Sequence, residues 1–167
     1  NSECQPLSGM TVNQSWLGNE HRRYVKSPPK AAGNQLRFAM TSFGITHSGA
    51  IVTGRAPEQG RLLATSKSPP LRVITRLMLP DSDNFLAEML TKNVGAYTRN
   101  SGSTVAGTEA AASSLEAIGA LRTGDRLVDG SGLSRDNQLT ATTLVSLLST
   151  ANADPVWGAT LIQSLPQ

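Results

Sequence analysis

The stretch "LPDSDNFLAEML", Leu79–Leu90, sets the small polar run Asp81-Ser82-Asp83-Asn84 directly against an apolar segment. Phe85, Leu86, Met89 and Leu90 recur at the interval of one helical face, so a helix is predicted from about Asp83 to Val94. Asp81, Ser82 and Asp83 are each able to cap it, because a short side-chain oxygen accepts a hydrogen bond from an N–H that the first turn leaves unpaired. The same turn also sets a hydroxyl, Ser82, and a carboxamide, Asn84, side by side at a helix entrance. Capping and chemistry are both open at this point.

Working outward, Pro69-Pro70 suits the first turn of another helix, and Leu71, Ile74, Leu77 and Met78 form an apolar stripe that Pro80 should end. Upstream, "AAGNQLRFAMTSFG" (Ala31–Gly44) has Leu36, Met40 and Phe43 at helical spacing, with Gly44 as a natural stop. "ITHSGAIVTG" (Ile45–Gly54) and "RLLATS" (Arg61–Ser66) read as strands separated by the turn chemistry of "APEQG". Residues 1–30 are polar and read as a loop-rich segment, leaving 31–167 as the main domain. Downstream, "NSGSTVAG" (Asn100–Gly107) reads as a flexible joint. A helix follows over Thr108–Ile118, then a short strand "RLVD", then helices over Thr140–Leu148 and Pro155–Leu165. The class is mixed α and β, α+β in arrangement.

Bulk properties remove several kinds of function. At 167 residues and 38% hydrophobic, the chain suits one domain with a core. Fifteen basic against twelve acidic residues leave a net charge of +3, and the densest basic cluster, "HRRYVK" (His21–Lys26), is too sparse for a phosphate-tracking face. No nucleic-acid partner is therefore expected. No apolar run approaches the roughly 20 residues of a membrane span. The single cysteine, Cys4, cannot form a disulfide within the chain and reads either as a free thiol or as half of a pair with a partner outside it, and "NSECQP" reads as an interior or processed start. His21 and His47 are the only histidines, which leaves no metal site and no histidine-based triad. No cofactor is expected either: no phosphate-cradling loop ends in Gly-Lys, and "GSGLSR" lacks the third glycine of a dinucleotide fingerprint. Around Ser131 the glycines of a nucleophile elbow would have to stand at Asp129 and Leu133.

What survives is Ser82-Asp83-Asn84. Ser-x-Asn is one of three motifs in serine enzymes that open amide or β-lactam bonds, beside Ser-x-x-Lys and Lys-Thr-Gly. There a hydroxyl passes a proton between a lysine and the leaving group, and the carboxamide holds the substrate backbone. Around it, "SPPL" (Ser68–Leu71), Ala87-Glu88 and "DGSGLSR" (Asp129–Arg135) follow in order, and the chain closes on "WGATLIQSLPQ". With these features residues 31–167 resemble the class C low-molecular-mass penicillin-binding proteins, the D-alanyl-D-alanine carboxypeptidases and endopeptidases.

The resemblance implies a penicillin-recognising fold, an antiparallel sheet flanked by helices beside a helical subdomain, of which this chain covers only part. It implies an acyl-enzyme hydrolase acting on peptidoglycan stem peptides ending in D-Ala-D-Ala, outside the cytoplasmic membrane in the periplasm or cell envelope, and acylated by β-lactams. Ser82 would relay the proton and Asn84 would bind the peptide amide. Gly130, Ser131, Gly132 and Leu133 would line the cleft, with Leu133 as a wall for the substrate side chain.

The other two motifs are missing. Ser27-Pro28-Pro29-Lys30 matches Ser-x-x-Lys in letters, but its two prolines predict extended chain instead of the helical turn that would pair serine with lysine. Arg122-Thr123-Gly124 mimics Lys-Thr-Gly but precedes the Asp-Gly-Ser-Gly loop, whereas the family's motif follows it. No nucleophile is therefore assigned, and the chain alone is expected to be inactive, needing the rest of a parent polypeptide. The alternative from another class is a non-catalytic domain that binds peptidoglycan or a protein partner through the remnant cleft.

Overall fold

The computed structural model describes residues 4–18, 23–55 and 57–166. Among them lie six α-helices: α1 (Pro28–Ser42), α2 (Leu71–Asp81), α3 (Asn84–Arg99), α4 (Thr104–Ala117), α5 (Ala141–Ala153) and α6 (Gly158–Ser164). The contacts divide the chain into two compact units, Asn1–Lys67 and Ser68–Gln167, so α1 belongs with the residues before it. None of the described helices is long and apolar enough to cross a membrane.

In the first unit, Trp16 and Tyr24 form an isolated antiparallel bridge with their ring centroids 4.3 Å apart. Helix α1 starts at Pro28, earlier than the apolar spacing predicts. Pro28 and Pro29 stand in its first turn, where a fixed φ suits the helix and the missing N–H has no partner to lose. The predicted strands Ile45–Gly54 and Arg61–Ser66 do not form a ladder among the described residues. A strand exists through a neighbour's hydrogen bonds. Without one, Val52 and Leu62 stay 81% and 78% exposed, and Ile51 packs over Gly33 of α1.

In the second unit, α2 continues through Pro80 to Asp81 instead of ending there. Proline in the last turn removes one N–H but leaves the helix direction intact, and the actual stop is Ser82. Its left-handed backbone (φ 51°, ψ 47°) lets Ser82 N–H reach Leu79 O at 3.3 Å and Asp83 N–H reach Met78 O at 2.9 Å. These two bonds make a Schellman closure, a position that usually takes glycine. Asp83 then caps α3, its Oδ1 accepting from Leu86 N–H at 2.9 Å.

The core of this unit is the α3–α4 pair, with Phe85, Ala106 and Ala110 buried. The helices meet where neither carries a side chain: a Cβ built on Gly95 would lie 2.7 Å from Gly107 N, and one on Gly107 would strike the Thr91 carbonyl. The joint between them is only residues 100–103, because Ser103 Oγ accepts from Ala106 N–H at 3.1 Å and starts α4 four residues ahead of the apolar pattern. Helix α6 packs on α5 and on α2, the latter contact including Arg76 Nη2 donating to Gln163 Oε1 at 2.9 Å. The α2 stripe stays largely open, with Leu71 and Leu77 61% and 57% exposed.

The predicted strand "RLVD" reduces to one antiparallel bridge, Arg126 with Gln138. No sheet is thus present among the described residues, whose regular elements are helices and two isolated bridges. Beside the Arg126–Gln138 bridge, Asp125 ties its loop to the start of α5: its carboxyl accepts from the Thr143 hydroxyl, from Arg122 N–H at 2.7 Å and from Thr140 N–H at 2.8 Å. The Thr143 bond, with help from the two amides, holds this carboxyl below its ordinary 3.8. A folded-state value below the unfolded one stabilises at pH above the unfolded value, and that contribution is lost as pH falls through the lowered one. The melting-temperature gap between the wild type and Asp125→Asn should therefore be flat above about pH 5 and close progressively in stronger acid. A gap that persists unchanged at pH 3 would contradict this.

Candidate active site

The α2–α3 turn puts Ser82 and Asn84 where local chemistry demands. Ser82 is exposed at the left-handed C-terminus of α2, and Asn84 is half-buried as the first residue of α3. Of the three capping candidates only Asp83 caps α3; Asp81 is the last residue of α2. The cap fixes the backbone on both sides of Asp83, and so the directions in which Ser82 and Asn84 leave the chain.

The Asp129–Asn137 segment is tied into a closed loop by its own side chains. Asp129 Oδ1 accepts from Gly132 N–H and from Asn137 Nδ2, both at 2.8 Å, and its Oδ2 accepts from Ser134 N–H at 2.7 Å. Asn137 Oδ1 in turn accepts from Val128 N–H at 2.8 Å. The loop docks on α3 through Glu88, whose Oε1 accepts from Gly130 N–H and Ser131 N–H at 3.0 Å and from Ser131 Oγ at 2.8 Å. Gly130 permits the close approach: a Cβ there would strike Thr91 Oγ1 and come 2.7 Å from Ala87 O.

Glu88 lies four residues after Asn84, and residues at that spacing share one face of a helix. The structure thus brings the Gly130–Ser131 end of the loop to the face of α3 that begins at Asn84. Gly132 is exposed and Leu133 half-buried farther along the loop. A cavity of about 570 Å³ opens behind it, lined by Thr91, Thr108, Leu115, Leu127, Gly130 and Trp157 among others. Ser82, Asn84 and Leu133 are not part of that lining. Glu88, Asp129 and Asn137 carried no role from sequence. Glu88 and Asp129 were visible only as letters of the Ala87-Glu88 and Asp129–Arg135 matches, and Glu88 also as a glutamate between Phe85 and Leu90.

The two imitation motifs resolve differently. Lys30 lies in the first turn of α1, exposed, with Ser27 as its extended N-cap, so the pair spans a helix start and not the extended chain that the prolines predict. Ser27 stands in the first unit and Ser82 in the second. Arg122 of Arg-Thr-Gly is engaged structurally, donating from Nη1 to Gly119 O at 2.6 Å and from Nη2 to Ser146 Oγ at 3.0 Å. His47 Nε2 lies 3.3 Å from Thr41 Oγ1 in a stretch without a strand, and His21 falls outside the described residues. Among the described residues no group of three or more His, Cys, Asp or Glu is placed to hold a metal ion.

Known proteins resemble this chain along most of its length. Residues 8–167 match the D-Ala-D-Ala carboxypeptidase 3 (S13) family. A D-alanyl-D-alanine carboxypeptidase of Actinomadura sp. (strain R39) is 37% identical over 147 residues, 86% of this chain and 27% of that protein. The D-alanyl-D-alanine carboxypeptidase DacB of Haemophilus influenzae is 33% identical over 125 residues, 74% of this chain and 26% of the relative. The crystal structure of penicillin binding protein 4 (dacB) from Haemophilus influenzae, complexed with a novel β-lactam, superposes with a TM-score of 0.77 at 30% identity. That match covers 86% of this chain and 33% of the solved one, so the chain spans about a quarter to a third of the proteins it resembles.

Proposed function

The chain belongs to the D-Ala-D-Ala carboxypeptidase 3 (S13) family, and from that premise we propose that it is part of a serine-type D-Ala-D-Ala carboxypeptidase or endopeptidase acting on peptidoglycan stem peptides. The acylating serine and the catalytic lysines belong to sequence beyond these 167 residues. The serine oxygen attacks the carbonyl of the penultimate D-alanine and forms an ester as the C–N bond breaks. Ser82 carries the serine's proton to the departing amine of the terminal D-alanine. Water then hydrolyses the ester, giving the shortened peptide's carboxylate and the free serine. Asn84 holds the peptide amide, and Gly130, Ser131, Gly132 and Leu133 form the facing wall. β-Lactams acylate the same serine, and the site lies outside the cytoplasmic membrane, where stem peptides are.

The observation that carries this reading is the shared face of α3: Asn84 at its start and Glu88 one turn on, with the loop docked on Glu88. The test is labelled penicillin added to the full-length protein and to the isolated 167 residues. Stoichiometric covalent label on the full-length protein alone is expected. Label on the isolated piece would overturn the assignment of the nucleophile elsewhere. Reversible binding of stem peptide by the full-length protein with no label at all would favour a non-catalytic binding domain.

A further inference from the structure

Glu88 is a buried carboxyl group, 7% exposed, that the proposed chemistry does not use. It lies on the buried side of α3 with Phe85 and Gly95, and a single oxygen, Oε1, takes three hydrogen bonds from Gly130 and Ser131. Burying such a group without partners is costly, and burying it fully paired gains little over a well-packed leucine. What the pairing does secure is position. The loop closes on itself through Asp129 and Asn137, and Glu88 supplies its hydrogen bonds to α3, one helical turn from Asn84.

We propose that Glu88 is the positioning residue of the site. It sets the separation between the Gly130–Leu133 wall and Asn84, so that a peptide held by the carboxamide meets the loop in register. This rests on the roles given above to Asn84 and the loop. Glu88 touches neither substrate nor reacting atoms, so its loss should act on peptide binding and leave the chemical step alone.

The experiment measures D-alanine release from a D-Ala-D-Ala peptide by the full-length protein, with kcat normalised to sites titrated by penicillin. Glu88→Gln keeps an acceptor oxygen at the same reach and should hold KM within about threefold of wild type. Glu88→Asp withdraws the acceptor by one methylene and should raise KM about tenfold or more while kcat per titrated site barely moves. A merely structural role changes the fraction of titratable sites and not KM, so a wild-type KM in Glu88→Asp overturns the proposal. Should Glu88→Asp not fold, amide exchange on the wild type decides. Slower exchange at Gly130 and Ser131 on peptide binding supports the role, and unchanged exchange refutes it. A wild-type protein that neither releases D-alanine nor takes label would instead sink the underlying reading.

Discussion

Ser82→Ala in the full-length protein is expected to slow acylation by labelled penicillin about 10²–10⁴-fold, the usual contribution of a positioned proton-transfer group. The protein should remain folded, because Ser82 is exposed and the closure of α2 uses its backbone N–H, not its hydroxyl. Ser82→Gly sharpens the test. A non-glycine residue in the left-handed region carries a strain of about 1 kcal/mol that glycine does not. Ser82→Gly should thus unfold at higher denaturant than wild type while losing as much activity as Ser82→Ala. Activity near the wild-type rate in either variant would remove Ser82 from the proton path. Ser82 thus stands where glycine is conformationally cheaper, and the hydroxyl is what glycine would lack.

A large stability loss is expected from Gly107→Ala, about 3 kcal/mol or more. An added methyl that meets only the end of a flexible side chain can push it aside. Here it meets the backbone of Thr91, with the carbonyl in direct collision and the carbonyl carbon 2.7 Å away. Relief requires α3 and α4 to separate, which exposes Ala106 and Ala110 and disturbs the helix that carries both Asn84 and Glu88. Chemical denaturation should show a large fall in midpoint, and a change within about 0.5 kcal/mol would mean that the crossing yields more easily than its geometry implies. Arg99 Nη2 also spans the crossing, donating to Ser113 Oγ at 2.9 Å and to Glu109 O at 3.3 Å, bonds that separation of the helices would strain; its ion pair with Glu109, at 4.0 Å between side chains 40% and 59% exposed, adds little.

Sequence and structure agree best where the determinants are local. The α3 entrance was legible because Asp83, Asn84 and the apolar residues after them act within one turn. The starts of α1 and α4 were read late, at Ala31 and Thr108, because apolar spacing ignores a first-turn proline pair and a cap such as Ser103, whereas α6 was read early, at Pro155. The strands at Ile45–Gly54 and Arg61–Ser66 were misread for the opposite reason: alternation describes a surface that pairs, and pairing depends on a neighbour. Glu88 was visible as a letter beside Ala87, yet its role depends on a partner 42 residues away. No periodicity encodes that.

The closed Asp129–Asn137 loop has a consequence for how such a site can change over generations. Closure runs through Asp129, Ser134 and Asn137, and leaves the side chains of Leu133, Arg135 and Asp136 outside the bonds that make it. Those three positions are free to drift one substitution at a time without opening the loop or loosening α3. Under the role proposed for the loop, Leu133 is then the position where the chemistry of the wall can change while the bonds that hold the scaffold beneath it stay in place.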